Sequence, residues 1–593
     1  MSVQSGVIER PKITINGAVL AVEKLNDLID LRVESTVSRP AQATLRFEDS
    51  NFDVIDSAQM AIGNSLDLAF VTFGESSAVK IFVGEITSVG IEAGPDGFPV
   101  AVITGHDLSH RLGRNSRQRV FANQTYGDMV SKIAGENGLR ATTSGLTIQF
   151  EHITQHVDDA AFITEICRRS GLIWTVDDKT LTLKEAKLGS PAVTLKYGES
   201  LLRFRAQFDS AEVVDDVAVR SWDPKTKKEI ASKNTSKPGS LSTAPLVTSA
   251  RSATTSTFKS SKQTGANVTS SVDEARLLAS SLHGRSMGDE LRVRGETFGN
   301  TAIVAGCTIA IAGVGTKLSG NYFVTSADHN YSHRGYTTKF VCGGVHPAKL
   351  VDLVAGRASA PGHLSVVVGV VSNVGKDAEA GMVKVKLPSI GDNLESAWAR
   401  VVTPGGGATR GLQLMPSVDD EVLVVFENGD MRRPFVLGGL WNPKDKMPFP
   451  GFVTGSDVTE WTLRDRVGHT LSFRGGSGDN KRNVEVLLAD GKTKLFLGQD
   501  KVELWANDGK TLQLKSGQGS ITITANGDIE IKGTKITITG TQEIAAKATT
   551  VKVNADATML LQAQATLEIK ASASAKLDGG GMTEIKGGMV KVN

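Results

Sequence analysis

Short runs in which apolar and polar residues alternate recur along most of this chain, as in ATLRF at 43–47 and IFVGEI at 81–86. A period of two sets one face of a strand against a core, and intervening turn residues keep each strand short. Three stretches follow a helical period instead. From about Thr125, the residues Met129, Val130 and Ile133 share one face. Asp158 and Asp159 suit an N-cap, after which Phe162, Ile163 and Ile166 point inward until Gly171 stops the helix. The third helix is predicted over 272–282. Residues 231–271 are rich in Ser, Thr and Lys and predict a long, exposed, flexible loop. Two breaks, AGRASAPG at 355–362 and NPKDKMPFPG at 442–451, predict boundaries; the prolines of the second continue neither a helix nor a central strand.

Towards the C-terminus the pattern becomes periodic. Gly491, Gly509 and Gly527 recur every 18 positions, and apolar-x-apolar triplets then repeat at close to eight residues. They include ITI at 521–523, IEI at 529–531, ITI at 536–538, VKV at 551–553 and LEI at 567–569. So short and regular a repeat is a solenoid signature. Eight residues are too few to complete a β-helical turn in one chain, but three chains can each supply one side of a triangular rung. That arrangement buries Ile529, Ile536, Val551 and Leu567 on a common axis and removes open sheet edges. Stacked at strand spacing, ten such strands make a rod about 45 Å long. The alternative for this region is an ordinary antiparallel sheet with regular hairpins. The fold class expected is therefore mainly β with a few helices. It comprises β-barrel domains in residues 1–354, a small barrel at 363–442, a proline-rich connector at 443–451 and a trimeric, intertwined β-helix at 452–593.

Composition narrows the function classes. With 593 residues the chain holds about three or four domains. Lys+Arg 66 against Asp+Glu 64 leaves +2, so no global basic field favours nucleic acid or an anionic membrane. Cys167, Cys307 and Cys342 are too few and too scattered for a disulfide framework. No secretory signal and no run of about 18 apolar residues is visible, which predicts cytoplasmic assembly without a membrane span.

One family resemblance emerges at 369–442. GVVSN at 369–373 is followed by GMVKVKLP at 381–388, SAWARV at 396–401 and Pro416. Then come EVLVVF at 421–426, Gly429-Asp430 and RPFVLGGLWN at 433–442. This resembles the OB-fold module of VgrG and phage-baseplate spike proteins, and about five short strands suit such a barrel. Upstream, FVGEI at 82–86, GHDLSHRL at 105–112, residues 162–171, WDPKTK at 222–227 and GYTTKF at 335–340 resemble the hub of phage late-control and extracellular injection-system spikes. Downstream, the ladder ending in IKGGMVKV at 585–592 resembles their trimeric needle.

The resemblance implies a homotrimer that adapts a hexameric inner tube to a membrane-puncturing spike. It contacts tube and baseplate proteins, touches a target membrane only during puncture, and can carry effector cargo. It also implies a small PAAR-type tip protein docked on Gly587, Gly588, Met589, Val590, Val592 and Asn593, where the final rung leaves an unfinished sheet end. A trimeric adhesin or tail fibre, or a type VI secretion VgrG, is the alternative reading.

Catalytic motifs are weak by comparison. His152 and His156 have the i,i+4 spacing of a zinc-protease helix, but the general-base position holds Ile153. His329, His333, Cys342 and His346 are zinc-ligand types in strand-like sequence, read as satisfied or exposed polar residues. The Gly-Lys-Thr triplets at Gly491 and Gly509 lack the earlier glycine of a phosphate loop; Val486 and Leu504 stand there, so the triplets read as turns. Asp419, Asp420 and Glu421 read as a solvated turn. The proline-rich connector is too short to hold a catalytic domain. No catalytic residue, metal or cofactor is expected.

Overall fold

Alternation becomes strand throughout the first half of the chain in the computed structural model. It describes residues 8–72, 78–94, 97–211, 213–236, 239–264, 268–288, 290–344, 366–476 and 482–592. The break at 355–362, His346 and Asn593 lie outside them. The described residues separate into two compact units, 1–445 and 446–593.

In the first unit the alternating runs form one continuous 13-stranded sheet among the described residues. Leu28–Thr36 pairs antiparallel with Gly320–Ser332, and this ladder joins an N-terminal group of strands to a second group from residues 193–342. Each group has its own core. Ile13, Leu31, Leu45, Phe47, Phe70 and Ile103 fill the first; Leu291, Val293, Ile309, Tyr322, Val324 and Phe340 fill the second. The strands expected as separate hub barrels thus run as one sheet over two cores, because pairing at Leu28–Thr36 satisfies an edge of both groups.

A third core is helical. Tyr126–Glu136 begins with a capping box between Thr125 and Asp128. Asp159–Ser170 is capped by Asp158 and ends at Gly171 with φ 72°, a left-handed angle that glycine adopts without a Cβ clash. Met129, Val130, Ile133, Phe162, Ile163 and Ile166 pack together as their spacing requires.

The expected loop at 231–271 is a correction. It contains the end of the strand Lys228–Asn234, the helix Pro245–Phe258 and the strand Ser261–Thr264. Val247, Arg251 and Thr254 recur at helical spacing and are buried. The Arg251 guanidinium reaches the buried Glu290 carboxylate at 2.7 and 2.9 Å. Polar composition concealed this face because one of its anchors is a charge with a partner 39 residues away. The third predicted helix runs from Val272 to Gly288, longer than expected.

Residues 366–439 close into a barrel in the order Val366–Val374, Met382–Lys386, Ala399–Val401, Pro434–Gly439, Glu421–Phe426. Val371, Val383, Val385, Val422, Val424 and Val436 fill it, the inward half of each alternating run.

The second unit is simpler. Glu460–Arg464, Thr470–Gly475, Arg482–Leu487, Lys494–Gly498 and Val502–Trp505 form an antiparallel meander, and Leu512–Ser516, Gly519–Ile523 and Ile529–Lys532 form another. Up to Lys532, then, hairpins replace the expected one-strand-per-rung ladder. Gly491, Gly517 and Gly527 occupy turns with φ of 70°, 55° and 87°, which let the chain reverse. Between Gly527 and Gly580 no residue has such an angle, and residues 533–592 form no strand within the single chain.

Candidate functional site: a charged joint and an uncovered sheet face

Two features stand out, each built from residues far apart in sequence. The first joins the barrel to the helices before it inside the first unit. Just before the last barrel strand, a tight turn carries Asp430, Arg432 and Arg433 against the start of the helix Val272–Gly288. Arg432 grips Asp430 through a fork at 2.8–3.1 Å. Its remaining donors reach Glu274 Oε1 at 2.7 Å and the Val268 carbonyl at 2.6 Å. Arg169, from the helix Asp159–Ser170, donates to the same two acceptors at 2.7 Å each. Glu274 also accepts from the amide and hydroxyl of Ser270.

Two guanidiniums therefore balance two carboxylates in a site where the Glu274 side chain is only 3% exposed. Burial pushes the Glu274 carboxyl up, but the charges of Arg432 and Arg169 outweigh it and hold the group at about 2. Asp430 is likewise pulled below its ordinary range, against its burial, by Arg432. Bidentate, charge-assisted bonds fix orientation as well as distance, so this joint ties the barrel to the helices Asp159–Ser170 and Val272–Gly288. Val120 also packs against the barrel core.

The second feature is the five-stranded meander at 460–505. Its register places Trp461, Leu463, Phe473, Val486, Leu497 and Val502, among others, on one face. The other face is mixed: it carries Glu460, Thr462, Arg474, Glu485, Lys494 and Glu503, tied by ion pairs such as Arg474–Glu485 at 3.1 Å, together with Leu487, Phe496 and Trp505. Exposure runs opposite to what a free-standing sheet requires. Trp461 and Val502 are each 71% exposed, whereas Ser472 and Asn483 on the mixed face are 1% and 8% exposed.

The predicted trimer-core residues behave alike. Ile529 is 66%, Ile536 51%, Val551 59% and Leu567 58% exposed in the single chain. Of these, Ile529 lies in a ladder, opposite Ile523. Gly587, Gly588, Met589, Val590 and Val592 are all exposed.

The motifs set aside in the sequence fall in ordinary places. His152 sits on the strand Gln149–Gln155, not on a helix, and burial lowers its pKa to about 4. His329 is buried with both ring nitrogens engaged, Nδ1 with the Tyr336 hydroxyl at 2.7 Å and Nε2 with the Ile303 carbonyl at 2.9 Å. His333 lies exposed in the following hairpin and Cys342 is buried. Asp490 caps the turn at Gly491, its carboxyl held at about 2 by the Thr493 hydroxyl and the Lys492 and Thr493 amides. Asp420 likewise accepts from the Ser417 amide in the turn before Glu421–Phe426. Purified protein is expected to hold no stoichiometric zinc after dialysis. Tightly held zinc that disappears on His329→Ala or Cys342→Ala would reverse that.

These features fit a chain built for assembly, and the comparisons give its class. Residues 367–441 match the family described as the type VI secretion system/phage-baseplate injector OB domain, so the barrel is VgrG-like. Residues 6–333, more than half of the chain, match the family described as the Alg8 N-terminal domain, and the chain belongs to that family. Among curated relatives, the type VI secretion system spike proteins VgrG5 and VgrG1b of Pseudomonas aeruginosa are 33% identical over 94 residues and 26% over 106. These matches take in 16% and 18% of this chain but only 11% and 13% of the relatives' own length.

Among solved structures, a chain of the half-lidded Francisella PdpA–VgrG complex is 10% identical, with 89% of each chain covered and a TM-score of 0.47. The E. coli c3393 protein, described as a component of the type VI secretion system, is 14% identical. That match covers 70% of this chain and 97% of that one, with a TM-score of 0.44. Among the described residues no helix is long and apolar enough to cross a membrane.

Proposed function

We propose that the chain is the central spike of a contractile injection particle, working as a homotrimer and mechanically rather than as an enzyme. The observation that carries this reading is the meander at 460–505, which turns the apolar face of Trp461, Phe473, Leu497 and Val502 to solvent while Ser472, Asn483 and Phe496 on its other face are buried. A large apolar sheet face is unfavourable in water by about 25 cal/mol per Å² and calls for a covering partner. Three copies meeting on a common axis cover one another's faces and, in residues 533–592, supply the ladders that one chain cannot form.

In this reading residues 1–354 form the hub on a hexameric inner tube and touch the baseplate, the barrel at 363–442 forms a collar, and residues 452–593 form the needle. The two cores of the hub sheet give three chains six similar surfaces, which suits the change from six-fold to three-fold symmetry. The needle crosses a target membrane only during puncture, can carry effector cargo, and has no role with nucleic acid. Between the barrel strand ending at Gly439 and the strand Val453–Thr454 there is no space for a catalytic domain. Light scattering or native mass spectrometry at micromolar concentration is expected to give a trimer; a monomer or dimer would remove this reading.

At the far end, Met589, Val590 and Val592 repeated in three chains form the docking surface for a PAAR-type tip protein, together with Gly587, Gly588 and Asn593. Deleting residues 587–593 is expected to leave the trimer intact and to abolish capture of the tip protein. Full occupancy by the tip protein on the truncated trimer would place the docking surface elsewhere.

A further inference from the structure

The long sheet of the first unit ends at the strand Leu201–Phe208, and this edge is open. Apart from a single bridge at Leu201, the strand pairs only with Leu291–Phe298 among the described residues. One of its faces is apolar, with Phe204, Ala206 and Phe208 half-buried against the second core. The opposite face carries Arg203, Arg205 and Gln207, all exposed. Register sets Arg203 beside Glu296, Arg205 directly across from Arg294, and Gln207 across from Arg292. Only the first of these rows is balanced. Glu296 lies between Arg203, at 3.4 Å, and Lys339 on the next strand, and Lys339 in turn faces Asp328. Arg205, Arg292 and Arg294 have no carboxylate partner among the described residues, and Val341 follows Arg294 in its row. Asp209, just past the strand, accepts from the Ala211 amide instead. Like charges directly opposite each other destabilise a sheet, so the fold carries the Arg205–Arg294 pair at a loss. Charge on an edge strand does keep foreign strands away. Arg292 and Arg294, however, stand one strand further in and guard no edge.

We infer that the edge Leu201–Phe208, with the arginines beside it, is a docking site for an extended segment of another protein that alternates acidic with apolar side chains. Such a segment adds a strand to the open edge and hydrogen-bonds to its free backbone groups. Its acidic residues, at the about 6.8 Å repeat of alternate strand positions, fall beside Arg203 and Arg205. Its apolar residues lie over Phe204 and Phe208 on the other face. Arg292 and Arg294 extend the positive field that attracts it. A polynucleotide would meet the charge but has no backbone amides with which to continue the sheet. This site does not depend on the chain being a spike.

The test is fluorescence anisotropy of a labelled nine-residue peptide alternating valine with glutamate, titrated with the full-length protein. Binding is expected at low salt, with slowed amide exchange across residues 201–208, and it should weaken as salt is added. Arg205→Glu combined with Arg294→Glu is expected to weaken it more than about ten-fold and to take up instead the peptide in which lysine replaces glutamate. Arg205→Gln should also weaken binding, yet leave the free chain at least as stable in urea, because it removes a like-charge pair. A clear loss of stability would mean that the arginine serves the fold, and overturns the inference. A thymidine nonamer that binds as tightly as the peptide overturns it too, by making the patch a general polyanion site. So does the absence of binding to the unsubstituted protein, whether a second copy covers the edge or the arginines only repel strands.

Discussion

Arg432→Met is expected to destabilise residues 1–445 by about 3–5 kcal/mol in urea denaturation, because Asp430 loses its guanidinium partner in a buried site. Arg432→Lys should fall between, keeping the charge but losing the planar fork that serves Asp430, Glu274 and the Val268 carbonyl together. Replacing Arg169, Glu274, Asp430 and Arg432 together by apolar residues of similar volume should be far milder than Arg432→Met alone, since removing every charge leaves none unpaired. A loss below about 1 kcal/mol for Arg432→Met would mean the joint carries little of the barrel's attachment.

The pH dependence has a definite sign. Glu274 titrates lower in the folded chain than in the unfolded one, so its contribution is complete above the ordinary carboxylate range. It fades only as pH falls towards about 2. The joint is therefore expected to survive at pH 4.

On the trimer proposed above, Leu497→Asp is expected to give monomer at micromolar concentration while leaving the single-chain strands intact. In one chain the position is 43% exposed and tolerates a carboxylate; in the assembled needle three carboxylates would meet in a dry interior. Such a group titrates upward, so acidification below about pH 5 should restore part of the assembly. Ile536→Asp should act the same way. Thr462→Asp, on the mixed face among Glu460 and Arg474, serves as the control and should assemble normally. If Leu497→Asp stays trimeric with unchanged dissociation, that face does not line the axis.

How much was legible depended on how local each signal was. The barrel was legible because the motifs from GVVSN at 369–373 to RPFVLGGLWN at 433–442 follow one another in a single ordered run, but which half of EVLVVF turns inward was not, since five consecutive apolar residues carry no period. The two helices of the third core were legible from the helical spacing of Met129, Val130 and Ile133 and, for the second, from the cap at Asp158 and the stop at Gly171. The helix Pro245–Phe258 was hidden because its inward face includes Arg251, a charge that scores as solvent-facing until Glu290 is known to lie beside it. The joint was hidden for the same reason on a larger scale: Arg432 and Glu274 are 158 positions apart. Its one local trace was the spacing of Ser271 and Glu274, which also reads as an ordinary helix start. The eight-residue period was visible but ambiguous. It serves a hairpin as well as a rung, and the left-handed glycines at 517 and 527 decide for hairpins up to Lys532.

The reversed polarity of the meander also dictates an order of events. Its hairpins join strands close in sequence, a topology that forms quickly, so each newly made chain acquires its apolar face before it has met another. Residues 1–445 emerge first and can fold during the roughly ten to thirty seconds in which the remainder is synthesised. On the proposed trimer reading, association then competes with off-pathway clumping, and the yield of trimer should depend on how close together the chains are made. Ribosomes translating one message side by side would supply that proximity, and dilute refolding from denaturant would not.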